Sequence, residues 1–240
     1  MRRVRDGKAR RVPRSISPPL HPAGLSTMSD RLQASRPSSA ASASGGWREG
    51  WRFFRAFLRR PGTVGAIWPS SPALARRLLE GHDLARARVV VELGPGTGAF
   101  TRFIDPALGP DALALALEVD EQAAARLRRE YPRWKVIHDS AERIAEHLAA
   151  HGAKRADAIL SGVPWAVMPP DAQESILGQV ARALAPEGRF STFTYVTSPW
   201  TRRGAACARL LRRLFGRVET SPVVWRNLPP AFVYHCHQPR

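Results

Sequence analysis

The chain has little cysteine, little lysine and no long apolar run, and each shortage closes off a class of protein. Its two cysteines, Cys207 and Cys236, stand in no metal or redox spacing, so no disulfide framework is expected and a reducing cytoplasm is the default compartment. No apolar stretch approaches the ~18 residues that would span a bilayer. The basic N-terminus has no apolar core, so no secretory signal is expected. Acidic residues are also few: 20 Asp and Glu face 37 Lys and Arg, leaving a formal net charge of +17 carried almost wholly by arginine. Abundant Arg, Ala and Pro fit a GC-rich genome, but codon bias does not fix net charge. The excess implies an anionic partner: nucleic acid, anionic lipid, or both. His235-Cys236-His237 looks like a ligand run. On a strand, however, its two histidines point one way and the cysteine the other, and two ligands without a third make a poor metal site. No metal is expected.

At 240 residues the chain suits one α/β domain with extensions. Residues 1–45 are rich in Arg, Pro, Ser and Ala and offer no apolar cluster to offset their ordering entropy, so they read as a disordered basic tail. Residues 46–60 read as a short amphipathic helix. At about 100° per residue, Trp47, Trp51, Phe53, Phe54, Phe57 and Leu58 share one face, with Arg48, Arg52, Arg55 and Arg59 beside them. Pro61-Gly62 ends it. Aromatic rings and arginines in that arrangement suit a lipid headgroup layer; packing on the domain core is the plainer alternative. Residues 61–240 form the main domain, where Ser71 is the expected cap of a helix starting at Pro72.

The most informative stretch is Val89-Val-Val-Glu-Leu-Gly-Pro-Gly-Thr-Gly-Ala-Phe-Thr101. It reads as a buried parallel strand, then a turn with no room for Cβ atoms, then a helix N-terminus, a place that suits a nucleoside cofactor. Gly94, Gly96 and Ala99 also fit the dinucleotide pattern G-x-G-x-x-G/A, a weak match by itself. Glu92, two residues before the first glycine, argues against a pyrophosphate, which a carboxylate would repel. With glycine again at 98, the loop has the E-x-G-x-G-x-G form of S-adenosylmethionine (SAM) methyltransferases. A Gly-rich turn with no ligand is the bland alternative.

The chain downstream agrees. Ala112-Leu-Ala-Leu-Ala-Leu-Glu118 is a second apolar strand ending in an acid, and Glu118 lies 20 residues past Gly98, the offset of a carboxylate that takes two ribose hydroxyls. Asp120 fits better as the cap of a helix starting at Glu121. A third strand, Trp134–His138, leads into Asp139-Ser140-Ala141, where Asp139 is either an acceptor for the adenine amine or a helix cap. Strand four is Asp157–Leu160, followed by Ser161-Gly162-Val-Pro-Trp165. A helix near 171–184, strand five over Gly188–Tyr195 and a helix near 201–215 come next. Two strands, Arg217–Trp225 and Ala231–His237, close the pattern. Five βα units with a hairpin-like end predict a doubly wound, Rossmann-like sheet with an antiparallel strand near one edge.

Taken together, the aromatic helix, Gly65-Ala-Ile-x-Pro-Ser-Ser71, Glu92-Leu-Gly-Pro95-Gly-Thr97-Gly98, Leu117-Glu-Val119-Asp120, Ser161-Gly-Val-Pro164, Thr194-Tyr195 and Asn227-Leu-Pro-Pro-Ala231 resemble the bacterial phospholipid N-methyltransferases. These convert phosphatidylethanolamine to phosphatidylcholine. The match covers about residues 47–237. The glycine loop is shared by many methyltransferases; the Pro-Ser-Ser, Ser-Gly-x-Pro and Asn-Leu-Pro-Pro set is far more specific. One departure is His138-Asp-Ser-Ala141, where Gly-Asp-Ala is the expected form. The resemblance implies a class I SAM methyltransferase fold, SAM as cofactor, and peripheral binding to anionic membrane in a bacterial cytoplasm.

The ethanolamine nitrogen must shed a proton before it can attack. Tyr195, Ser161 or the carbonyls of 161–163 are candidates to orient it and pass that proton to water. Trp165, Tyr195 and Trp225 are candidates for an aromatic cage around methylated ammonium, with Arg202 or Arg203 near the lipid phosphate. For each tryptophan, core packing is the alternative. Two other readings stand beside this one. rRNA adenine dimethyltransferases share the core, but carry Asn-Leu-Pro-Tyr where this chain has Ser161-Gly-Val-Pro-Trp165, and a helical RNA-binding domain that is not expected here. A non-catalytic, membrane-associated SAM-binding protein is the third reading.

Overall fold

Helix α1 (Pro72–Leu79) begins where the sequence predicts, because Ser71 Oγ accepts the Leu74 N–H at 3.2 Å and Pro72 fills the first turn. The computed structural model describes residues 70–240. The expected tail, the expected helix over 46–60 (Trp47, Arg48, Trp51, Arg52, Phe54, Arg55, Arg59) and residues 65–69 of the Pro-Ser-Ser motif lie outside those residues.

Seven strands make one sheet: β1 (Val89–Leu93), β2 (Leu113–Glu118), β3 (Lys135–His138), β4 (Ala156–Ser161), β5 (Leu184–Tyr195), β6 (Phe215–Thr220) and β7 (Ala231–Pro239). Their order is β3-β2-β1-β4-β5-β7-β6. β1 to β5 pair in parallel, and β7 runs antiparallel to β5 and β6. The sequence already carries the reason. Val89-Val-Val and Leu113-Ala-Leu-Ala-Leu have no polar alternation, as strands covered on both faces require. Leu115 and Leu117 face one core layer, under helices α4 (Ile144–Ala150), α5 (Pro170–Ala183) and α6 (Arg202–Leu214). Ala114 and Ala116 face the other, against α1, α2 (Thr101–Ile104) and α3 (Glu121–Glu130). Each fully buried leucine or isoleucine in these layers contributes about 1.5–3 kcal/mol.

The chain runs out through β1, β2 and β3, then re-enters on the other side of β1 as β4. That reversal opens a crevice beyond the carboxyl ends of β1 and β4, the usual ligand position in open α/β sheets. The residues that follow those ends are the glycine loop and the Ser161–Trp165 loop.

One strand boundary needs correction. The strand read over Arg217–Trp225 is β6, which stops at Thr220; Val224 then makes an isolated bridge to Ala231. Pro222 has no N–H to continue the ladder. The helix after the glycine loop is a single turn, Thr101–Ile104, passing into a 3-10 turn over Asp105–Ala107. So short a helix has a weak dipole, and anchoring of a ligand falls to the loop itself. In β7, Cys236 enters one core layer while His235 turns to the other face and meets Ser191 Oγ at 2.7 Å.

Candidate active site

Gly94, Gly96 and Gly98 take φ of 62°, 55° and 77°, left-handed values that side chains resist. The turn they form abuts the β4 loop backbone to backbone. A Cβ on Gly162 would sit 2.7 Å from the Gly94 carbonyl oxygen, and one on Gly94 would sit 3.1 Å from Val163 Cγ2. The Gly94 N–H donates to Leu117 O at 2.9 Å and the Gly162 N–H to Leu93 O at 2.8 Å, which ties the ends of β1, β2 and β4 together. Pro95 and Thr97 complete the turn, which the Gly98 N–H closes on Pro95 O at 2.9 Å.

Two buried carboxyls serve this turn. Glu118 accepts the Gly96 N–H (2.9 Å) on one oxygen and the Asp120 N–H (2.8 Å) on the other. A carboxylate offers about four acceptor sites in all, so capacity remains for a ribose hydroxyl. Burial pushes its pKa up, against the pull of those N–H donors. Glu92 is fully buried. One oxygen accepts the Thr101 hydroxyl at 2.7 Å, and the other has no partner. Burial raises its pKa to about 8. An unfilled buried acceptor beside a glycine turn suits a cationic group, which offsets the desolvation of the carboxylate.

The other expected residues fall in varied places. Asp120 caps α3 through the Ala123 N–H, and the Val119 carbonyl meets His138 Nε2 at 3.1 Å. Asp139 already accepts the Ser140 N–H on one oxygen, and Arg143 and His147, each at 2.8 Å, on the other. Burial pushes its pKa up, but these donors outweigh it and hold the carboxyl below its ordinary value. Ser140, not Asp139, makes the cap, accepting the Glu142 N–H at 3.2 Å, and Ala141 is buried behind it. Ser161 is buried at the end of β4, in register with Leu93 and Thr192, and its hydroxyl accepts the Val163 N–H.

The proposed cage comes apart. Trp165 is 2% exposed and its indole N–H donates to Thr192 Oγ1 at 2.7 Å. It is a core residue, because a ring packed on all sides offers no face to a ligand. Trp225 is 74% exposed instead. Tyr195 is half-buried at the end of β5, where burial pushes its phenol up to about 12. Arg202 and Arg203 are exposed in the first turn of α6, and the Arg203 guanidinium donates to Val167 O at 2.7 Å.

Sequence reasoning missed three things. Arg126 on α3 donates to the Gly96 carbonyl at 2.8 Å, with no motif to announce it. Thr101 holds Glu92, and its place at the end of the glycine stretch was the available signal. Phe100, Phe193 and Tyr195 form an edge-to-face row, with ring centroids 5.6 Å apart at each step, from the glycine turn to the phenol.

Comparison with known proteins gives the family. Residues 90–188 match the family model of a methyltransferase domain. Over 187 residues the chain is 33% identical to an ornithine lipid N-methyltransferase of Singulisphaera acidiphila, spanning 77% of this chain and 93% of that protein. The chain belongs to the SAM-dependent methyltransferases. A second relative of this methyltransferase is ribosomal RNA small subunit methyltransferase A of Thermosynechococcus vestitus, 29% identical over 131 residues, 54% of this chain and 46% of that one. In fold it resembles an O-methyltransferase from Bacillus cereus solved in complex with SAH: TM-score 0.55, 14% identity, 85% and 93% of the two chains. SAM is the cofactor of the methyltransferase, and the groups present fit it. The orphan oxygen of Glu92 suits its ammonium, the free acceptor sites of Glu118 suit its ribose, and the glycines leave its backbone-side approach open.

Proposed function

We propose that the protein methylates the amine of a membrane lipid. The motif resemblance implies phosphatidylethanolamine and its mono- and dimethyl forms, toward phosphatidylcholine; the Singulisphaera relative names ornithine lipid. Both lipids present a primary amine near an anionic group. The observation that carries the reading is the 33% identity across 93% of a lipid N-methyltransferase. The site supports it chemically. Bound SAM supplies a methyl carbon on a sulfonium, a good leaving group, so the protein's task is to position and desolvate the acceptor.

An ammonium has no lone pair, so the lipid nitrogen must lose a proton before its N–C bond can form. Tyr195 stays a phenol at neutral pH, since burial raises it to about 12. It therefore orients the amine through its oxygen and does not keep the proton, which passes to water at the open mouth. The carbonyls at 161–163 are further acceptors for the amine N–H groups. Later rounds leave a cation on nitrogen, and the rings of Tyr195 and the exposed Trp225 are the faces available to it. Arg202 and Arg203 are suited to the lipid's anionic group.

The deciding experiment is transfer of radiolabelled methyl from SAM to vesicles containing phosphatidylethanolamine, to vesicles containing ornithine lipid, and to ribosomal RNA. Label in either lipid upholds the proposal and names the substrate. Label in RNA alone, or in none of the three, overturns it.

A further inference from the structure

We propose that the loops at the mouth of the site, residues 196–203 and 221–230, form a docking surface for an anionic phospholipid bilayer. The proposal rests on the lipid-amine reading above and adds how the substrate is reached. Among the described residues the large hydrophobic side chains left exposed are Trp200 (84%), Trp225 (74%) and Leu228 (64%). All three lie in these two loops. Trp200 ends a 3-10 turn that follows β5, while Trp225 and Leu228 sit between β6 and β7. The loops are tied together, because the Val196 N–H donates to Pro230 O at 3.0 Å. They are also tied to the site. Ala231 pairs with Tyr195 on one side and with Val224, the residue before Trp225, on the other. This is the carboxyl end of the sheet, where Glu92, Glu118 and Ser161 also sit.

Charge selects the occupant. From Gly188 to Arg240 the chain holds one acidic residue, Glu219, and neither loop holds any. Arg202, Arg203 and Arg226 are exposed beside the tryptophans. Clustered exposed apolar residues mark an interaction surface. Tryptophan ringed by arginine is the composition that settles at the headgroup level of a membrane. A protein partner with an apolar face would leave those arginines unmatched. A bilayer accepts the rings and the charges together, and it brings a lipid amine to Tyr195 without extracting the lipid.

The test uses vesicles of phosphatidylcholine and phosphatidylglycerol. They contain no amine lipid, so docking is read independently of what is methylated. Cys207 and Cys236 are buried, so a cysteine placed on the surface accepts a polarity-sensitive fluorophore selectively. Trp200→Cys carries the probe at the mouth, and Asp111→Cys carries it at the opposite end of the sheet, before β2. The probe at 200 should shift to the blue on anionic vesicles and be quenched by brominated acyl chains, while the probe at 111 should do neither. Arg226→Ala should weaken vesicle binding about fivefold and leave SAM affinity unchanged. Vesicle binding with a water-exposed probe at 200, equal shifts at both positions, or no vesicle binding would each overturn the proposal.

Discussion

The Ser71 N–H donates to the side-chain oxygen Oδ1 of Asn227 at 2.9 Å, across 156 residues of chain. This bond joins two motifs that the sequence singled out separately, Pro-Ser-Ser and Asn-Leu-Pro-Pro. Asn227 is buried, and its amide also donates to Pro229 O at 2.7 Å. Ser71 in turn caps α1, which packs on the sheet through Leu74 and Leu78. One asparagine thus holds the loop beside Tyr195 to the first helix of the domain.

Asn227→Ala removes both bonds and leaves the Ser71 N–H without its acceptor. It should destabilise the fold by about 1–3 kcal/mol. Asn227→Asp keeps the acceptor for Ser71 and should cost less. Urea unfolding monitored by circular dichroism measures both. An unchanged midpoint for the alanine variant would show that the clasp contributes nothing.

Glu118→Ala should remove SAM binding measured by calorimetry. Two hydrogen bonds to a carboxylate, at about 1.5–3 kcal/mol each, amount to a loss of at least about 100-fold. Glu118→Gln still accepts one pair of bonds and should bind at an intermediate level. Unchanged affinity in the alanine variant would remove Glu118 from the ribose site.

Much of this was legible beforehand. Glycines at 94, 96 and 98 pointed to a turn with no room for Cβ atoms, and continuous apolar strands required a sheet covered on both faces, so the fold and the acid near the end of each of the first two strands could be placed. The cap at Asp120 followed from the helix that begins after it. Trp165 could not be assigned, because aromatic character alone does not separate a cage from a core; only its bond to Thr192 does. Arg126 was invisible because its contact with Gly96 depends on how α3 lies against the turn. The burial of Glu92 was hidden for the same reason: a strand-end acid looks identical in sequence whether it is wet or dry.

Gly162→Ala should weaken SAM binding and cost about 1–3 kcal/mol of stability, since its Cβ would lie 2.7 Å from a backbone oxygen of the glycine turn. Gly178→Ala is the contrast. It lies inside α5 with only the tip of Arg182 near, at 3.7 Å. That change should stabilise the protein by about 0.5–1 kcal/mol and leave SAM affinity alone. Equal SAM affinity in the two variants, by calorimetry, would show that contact between the two loops does not shape the cofactor site.

Trp165 and Trp225 should separate in kinetics. Trp165→Phe loses a buried hydrogen bond and should lower thermal stability while leaving KM for lipid near the wild-type value. Trp225→Ala should leave stability within about 0.5 kcal/mol, as an exposed change does, and raise KM for lipid. A raised KM for Trp165→Phe at unchanged stability would return that ring to the substrate site.

Glu92 should make both stability and cofactor binding depend on pH. Burial raises its carboxyl from 4.5 to about 8. Between those values the unfolded chain is ionised while the folded chain keeps the proton. The folded state then binds more protons, and stability falls as pH rises. The penalty starts near 4.5 and is complete near 8. Glu118 acts with the same sign. Glu92→Gln has no proton to lose, so its stability should decline less across that window and exceed the wild type's at pH 8 without cofactor. The ammonium of SAM favours the ionised carboxyl, so wild-type binding should release a proton and strengthen with pH up to about 7.5, below which a free α-amino group stays largely protonated. The glutamine variant should bind more weakly and lose that slope. Urea unfolding at several pH values, with calorimetry in buffers of different ionisation heat, reads both effects. Equal slopes in wild type and variant would mean that Glu92 keeps the same charge folded and unfolded.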